Sequence, residues 1–228
     1  QGFYAATPLT EETEAAGLTR LTVVRPLEAE RGTSTSIDLT RTLGAGSITA
    51  TVFGSRIRNP LRVDRDTSFV LFNQDEAATN VGAELLATLR QGPLGATASY
   101  TYVRSREGDR SARQDAELTP RHSAGIVGLW EAEDVGRVGL EVYYTGRQRL
   151  EVNPYRDESR PYVVVGLLAE RRVGRARLFI NAENVTDVRQ TRWNSLVKPR
   201  QGPDGRWTVD AWAPLDGRVL NGGVRFDF

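Results

Sequence analysis

Few side chains in this 228-residue sequence could do covalent chemistry. There is one histidine, His122, and neither cysteine nor methionine. Ser123 follows His122 at the start of an alternating segment. Neighbours on a strand project to opposite faces, so the two cannot form a nucleophile–base contact with each other. A strand-end histidine is the simpler reading. Ordinary zinc or iron sites need several His or Cys ligands, and the composition lacks them. The carboxylate pairs Glu11-Glu12 and Glu131 with Glu133 fall in loops or turns, where solvated charge explains them. Gly222-Gly223 lies inside an alternating segment and is no phosphate cradle. Asn184-Val185-Thr186 matches a glycosylation acceptor, a pattern common by chance. No catalytic residue, metal ligand or cofactor is assigned.

Binding chemistry remains. Lys198 is the only lysine among 30 basic residues, and two polar stretches mix arginine with aromatic rings. Residues 147–160 hold Arg147, Arg149, Tyr155, Arg156 and Arg160; residues 185–217 hold Arg189, Arg192, Trp193, Lys198, Arg200, Arg206, Trp207 and Trp212. Guanidinium forks beside indole or phenol rings can grip an anionic, partly aromatic ligand by charge-assisted bonds and stacking. The candidate contacts are Arg147, Arg149, Tyr155, Arg156, Arg192, Trp193, Arg206 and Trp207. The same composition suits an interfacial aromatic girdle with arginines at lipid phosphates. Basic and acidic residues balance at 30 against 29, which argues against a bulk nucleic-acid binder.

The elements that position these residues alternate with a period of two. Ile37, Leu39 and Leu43 oppose Ser36, Asp38 and Thr42; Val138, Leu140 and Val142 oppose Arg137, Gly139 and Glu141; Leu220, Val224, Phe226 and Phe228 oppose Asn221, Arg225 and Asp227. Similar segments cover 48–53, 80–90, 96–102 and 175–183, with Leu86 and Phe179 out of step. This predicts an all-β chain whose strands meet two different surroundings. Tight turns fall at Gly44-Ala45-Gly46, Gly92-Pro93, Asp134-Val135-Gly136 and Val173-Gly174. Long polar links fall at about 58–67, 104–119, 147–160 and 185–217, and the two kinds alternate if 69–90 is one long strand. An antiparallel up-and-down meander with hairpins at one end and functional loops at the other produces that order. The longest nearly apolar run, Tyr162–Ala169, is far short of the ~20 residues a spanning helix needs. Strands of ten or more residues with Ala, Val and Leu on one face and tyrosines toward their ends suit a transmembrane barrel.

Several motifs then carry a family resemblance. Gly217-Arg218-Val219-Leu220 through Val224-Arg225-Phe226-Asp227-Phe228 resembles the C-terminal strand of bacterial outer-membrane barrels. Such strands end in alternating hydrophobics and a terminal Phe read by the barrel-assembly machinery. Gly223, Phe226 and Phe228 fit that assembly signal, and Gly222 stands where a polar residue is usual. Phe179-Ile180-Asn181-Ala182-Glu183-Asn184-Val185-Thr186-Asp187 is similar to the penultimate-strand motif of TonB-dependent receptors. Asn80-Val81-Gly82-Ala83-Glu84-Leu85, Gly92-Pro93-Leu94, Ala98-Ser99-Tyr100-Thr101-Tyr102, Pro120-Arg121-His122 and Ala213-Pro214-Leu215-Asp216-Gly217-Arg218 match in the same order.

The resemblance implies a bacterial outer-membrane barrel of about 22 strands around an N-terminal plug. Such receptors import ferric siderophores, cobalamin or other scarce nutrients with energy delivered through the TonB complex. It implies that residues 1–228 are a C-terminal portion of that barrel, about ten strands, without the plug or its TonB box. Outer-membrane lipid, an iron–siderophore or similar ligand, TonB and the barrel-assembly machinery are the implied partners. The arginine-rich links suit an anionic chelate better than neutral cobalamin. Two other readings stand beside this one: a small stand-alone outer-membrane barrel serving as pore or anchor, and a barrel hydrolase using His122.

Overall fold

The alternating segments all become strands in the computed structural model, which describes residues 2–4, 21–24, 26–64, 69–108, 113–150, 153, 155–194 and 211–226. In chain order these are β1 (Gly2–Tyr4), β2 (Leu21–Val23), β3 (Glu30–Leu43), β4 (Gly46–Arg58), β5 (Leu61–Asp64), β6 (Phe69–Asn73), β7 (Ala78–Gln91), β8 (Leu94–Glu107), β9 (Gln114–Asp115), β10 (His122–Ala132), β11 (Gly136–Thr145), β12 (Tyr162–Val173), β13 (Ala176–Glu183) and β14 (Val219–Phe226). The main sheet runs β1-β3-β4-β7-β8-β10-β11-β12-β13-β14, with β9 extending it beside β8. Every neighbouring pair is antiparallel. β14 does not pair with β1, so the sheet is an open arc.

All four expected hairpins form, with Gly44, Gly92 and Gly174 at φ of 55°, 55° and 60°, where a Cβ would strain the turn. They share one end of the sheet, and β14 finishes at that end. The long links share the other end.

One expectation is corrected. Residues 69–90 are not a single strand: β6 leaves the main sheet and, with β5 of the first long link and β2 from before β3, forms a three-stranded sheet. Val70-Leu71-Phe72 is a continuous apolar run, the mark of a strand covered on both faces. Leu71 is 1% exposed and Val63 beside it is also buried. Asn73 fastens the return by donating to the carbonyls of Glu28 and Asn59 while accepting from the Glu28 amide. The first link therefore extends to residue 77, and the second starts only after β8 ends at Glu107.

The ladders between the long strands carry no bulge, so side-chain parity propagates unbroken. One face collects Ile37, Leu39, Val52, Leu85, Ala98, Ile126, Leu140, Leu167, Ile180 and Val224. The other collects Asp38, Thr51, Glu84, Thr101, Glu141, Glu170, Arg177, Asn181 and Arg225. Hydrogen bonds and ion pairs tie the polar face together, as in Thr51 to Asp38 (2.6 Å), Thr101 to Glu84 (3.2 Å) and Arg137 with Glu170 (3.1 Å). Among the described residues nothing covers the apolar face: Leu39 is 74% exposed and Ile180 50%. Contiguous apolar exposure of this kind marks a surface that meets a partner or a membrane.

The aromatic residues out of step have a physical reason. Phe53, Tyr143 and Phe179 stand on the polar face, each paired directly with a glycine: Gly82, Gly125 and Gly223. A Cβ at Gly223 would lie 2.9 Å from Phe179 Cε1, and one at Gly82 would lie 2.5 Å from Phe53 Cζ. The rings lie over the glycines, a known way of supporting a glycine within a strand.

Candidate functional site

The candidate residues gather at the long-link end. In the last link, a tight turn after β13 puts Asn184 and Asp187 at φ of 48° and 53°, a region Asn and Asp tolerate. The buried Asn184 amide closes the turn, accepting from the Val188 N–H (2.9 Å) and donating to the Val188 carbonyl (2.8 Å). A side chain so committed is no glycosylation site. Asp187 accepts from the Arg218 N–H at 3.0 Å and pairs with Arg189 and Arg192. The Arg218 N–H, reinforced by those guanidinium charges, holds the Asp187 carboxyl below its ordinary value. Gly217 fits because a Cβ there would lie 2.4 Å from Asp187 Oδ1.

A short 3-10 turn, Gln190–Arg192, follows. Gln190, 0% exposed, accepts from the Trp212 and Ala213 N–H groups at 2.8 and 3.2 Å. Trp212 and Trp193 stack with centroids 5.3 Å apart, Arg156 lies over the Trp212 ring at 5.7 Å, and Leu150 completes the cluster. Arg156 also donates to the Trp193 carbonyl at 3.0 Å. Burial, then the charge of Arg160, lowers its pKa. Thus Arg156, Arg192 and Trp193 are engaged in holding the link. Gln148 and Gln190, which residue type alone did not single out, join the links by donating to the Trp212 carbonyl and receiving its N–H.

Arg147 and Arg149, with Arg156 at its wall, border a cleft of about 940 Å³ between the second and third links. Arg149 pairs with Glu117 at 2.7 Å and donates to the Asp115 carbonyl, while Arg62 of β5 reaches Glu117 at 3.6 Å. Glu117 thereby bridges three links. Arg147 is 71% exposed on its side chain, only loosely paired with Glu158 at 3.9 Å, and Tyr155 stands on the surface. Arg121 pairs with Asp115, which raises its pKa. His122 shares a 2.7 Å hydrogen bond with Tyr100 at the strand end, with no serine hydroxyl in the contact. Arg206, Trp207 and Phe228 lie outside the described residues. Among the described residues there is no metal-binding cluster, and no helix is long and apolar enough to cross a membrane.

Long regular strands, one uncovered apolar face, hairpins at one end and structured links at the other define the wall of an outer-membrane β-barrel. The sequence matches the family "TonB dependent receptor-like, beta-barrel" over residues 3–185, and the chain belongs to that family. The family consists of bacterial outer-membrane transporters and receptors, which places the chain in that membrane. In an outer-membrane barrel an apolar face meets lipid and a polar face lines the lumen.

Similar solved structures include the copper transporter OprC (TM-score 0.64, 18% identity, covering 89% of this chain and 32% of that one). The pyoverdine receptor FpvA of Pseudomonas aeruginosa bound to pyoverdine matches at 0.63 and 16%, with 89% and 30% covered. The FrpB iron transporter of Neisseria meningitidis matches at 0.61 and 16%, with 90% and 32% covered. The chain spans about a third of each. No curated protein matches the sequence.

Proposed function

We propose that residues 1–228 are a C-terminal portion of a TonB-dependent importer whose long links form part of the outer mouth for an anionic metal chelate such as a ferric siderophore. The chain acts by transport rather than by catalysis. The observation that carries this reading is the family match combined with an arginine-lined cleft at the long-link end. Solved proteins of the same fold include receptors for pyoverdine and enterobactin. In this reading Arg147 and Arg149 meet ligand from the cleft, Tyr155 from the surface next to Arg156, and Arg206 and Trp207 contribute from the last link. Arg156, Arg192 and Trp193 shape the wall behind them. Import draws on TonB through a plug, outer-membrane lipid surrounds the barrel, and Gly223, Phe226 and Phe228 present the last strand to the barrel-assembly machinery.

The test replaces Arg147 and Arg149 together by Ala in the full-length protein, with ferric enterobactin and ferripyoverdine as probes. Each charge-assisted contact is worth ~1.5–3 kcal/mol, so affinity should fall well over tenfold at unchanged surface abundance. Unchanged affinity, or binding of neither chelate by the unaltered protein, overturns the ferric-chelate reading.

A further inference from the structure

Across the lipid face a rim of Tyr100, Tyr102, His122 and Tyr144 marks the outer edge of the apolar band. The inner edge carries Trp130 and Phe226. From His122 to Trp130 the strand advances roughly 26 Å, or about 20 Å along the normal at a barrel tilt, close to the height of a lipid-facing band.

Above the tyrosines, the first half of the sheet turns to arginine at positions of lipid-face parity. Arg31 of β3 pairs with Arg58 of β4; Arg56 of β4 pairs with Thr79 of β7, which pairs with Arg106 of β8, and Arg104 precedes it on the same face. Arg56 and Arg106 stand about 10 Å apart across Thr79. Arg113, from the link beyond β8, donates to Thr79 Oγ1 at 2.6 Å. Among the described residues the carboxylate joined to this group is Asp115, paired with Arg106 (3.9 Å) and Arg121. Arg31, Arg56, Arg58 and Arg104 are exposed and have no ion pair among the described residues. The second half differs: its lipid-face strand ends are His122, Tyr144, Val163, Ala182 and Leu220.

Like charges set side by side on neighbouring strands repel unless something anionic joins them. Guanidinium forks match phosphate oxygens bidentately, and this group sits at headgroup height, just outside an aromatic belt. We propose that the outer rim of β3, β4, β7 and β8 is a binding site for the phosphorylated headgroup of an outer-leaflet lipid, held by Arg56, Arg104, Arg106 and Arg113 around Thr79. The inference rests on the barrel reading above, and the site lies on the outside of the wall, adjoining the cleft at Asp115.

The test places the full-length protein in nanodiscs containing either bisphosphorylated lipid A or its dephosphorylated form. Retained lipid is counted by native mass spectrometry. The unaltered protein should retain the phosphorylated form preferentially. Joint Arg56→Gln, Arg104→Gln and Arg106→Gln should cut that preference by more than about tenfold, while the Lys versions keep most of it. No preference in the unaltered protein, which involves no variant and no folding question, overturns the proposal. So does a preference that survives the Gln changes, or one abolished by excess inorganic phosphate, which would mark a free-anion site. Failure of the unaltered protein to enter the disc would count instead against the barrel reading, and against this site with it.

Discussion

Along β11 the aliphatic side chains of Val138 and Leu140 stand 52% and 40% exposed, whereas in the link leaving β13 the amides of Gln190 and Asn194 are 0% and 1% exposed. The two regions invert one another. The sheet presents its apolar residues outward and is held by backbone ladders that tolerate most side chains of the right polarity. The link buries polar groups and is held by particular atoms: Gln190 Oε1 on two amides, Asp187 on the Arg218 N–H, Arg156 over Trp212. The wall thus depends on a pattern, and the mouth depends on individual residues. Substitution should therefore act differently in the two regions.

The largest effect is expected in the link. Gln190→Leu leaves the Trp212 and Ala213 amides buried without their acceptor, at about 1–3 kcal/mol for each unsatisfied group. Hydrogen–deuterium exchange across 211–218 should accelerate by more than about tenfold, with exchange in β10 and β11 unchanged. Protection that stays intact would show that the link is not held by this side chain. A smaller effect is expected where the sheet departs from pattern and relies on a specific fit. Gly223→Ala pushes a methyl toward the Phe179 ring and should destabilise the barrel by ~1 kcal/mol, the low end for overpacking. In a double-mutant cycle with Phe179→Leu the two changes should be clearly non-additive, whereas additive effects would mean that the ring does not rest on the glycine.

The smallest effect is a pH dependence. Because the folded state lowers the Asp187 pKa, its contribution is fully present above the ordinary value of about 3.9 and is lost as pH falls through the lowered one. Emission from the Trp193–Trp212 pair should change on that acid side in the unaltered protein. In Asp187→Asn the profile should be flatter, and identical profiles would remove Asp187 from the account.

The same contrast explains what the sequence revealed. Strand positions, hairpins and the split into an apolar and a polar face were legible because a period of two and turn glycines are local signals, and the family was legible from short motifs in a fixed order. The first link was not, because Val70-Leu71-Phe72 has no alternation to place it in one sheet or another; its pairing with β2 and β5 depends on Asn73 reaching Glu28 and Asn59. Composition located the arginine- and tryptophan-rich links but could not sort their members. Whether an arginine faces a cleft, as Arg147 does, or is tied to Asp187, as Arg192 is, depends on contacts far apart in sequence. The Asn184–Asp187 and Asp216–Arg218 motifs read as separate signatures, and the fold shows them to be two sides of one joint. The lipid-face arginines were hidden because Arg56 and Arg106 become neighbours only through β7.

The central claim is that one face of this sheet meets lipid and the other an aqueous lumen, and adjacent residues on β11 test it directly. Nitroxide labels placed singly at Leu140 and at Glu141 of the full-length protein in bilayers can be compared by their collisions with oxygen, which partitions into lipid, and with a water-soluble nickel chelate. Leu140 should favour oxygen and Glu141 nickel. Reversed accessibilities would place the apolar face inside and contradict that claim.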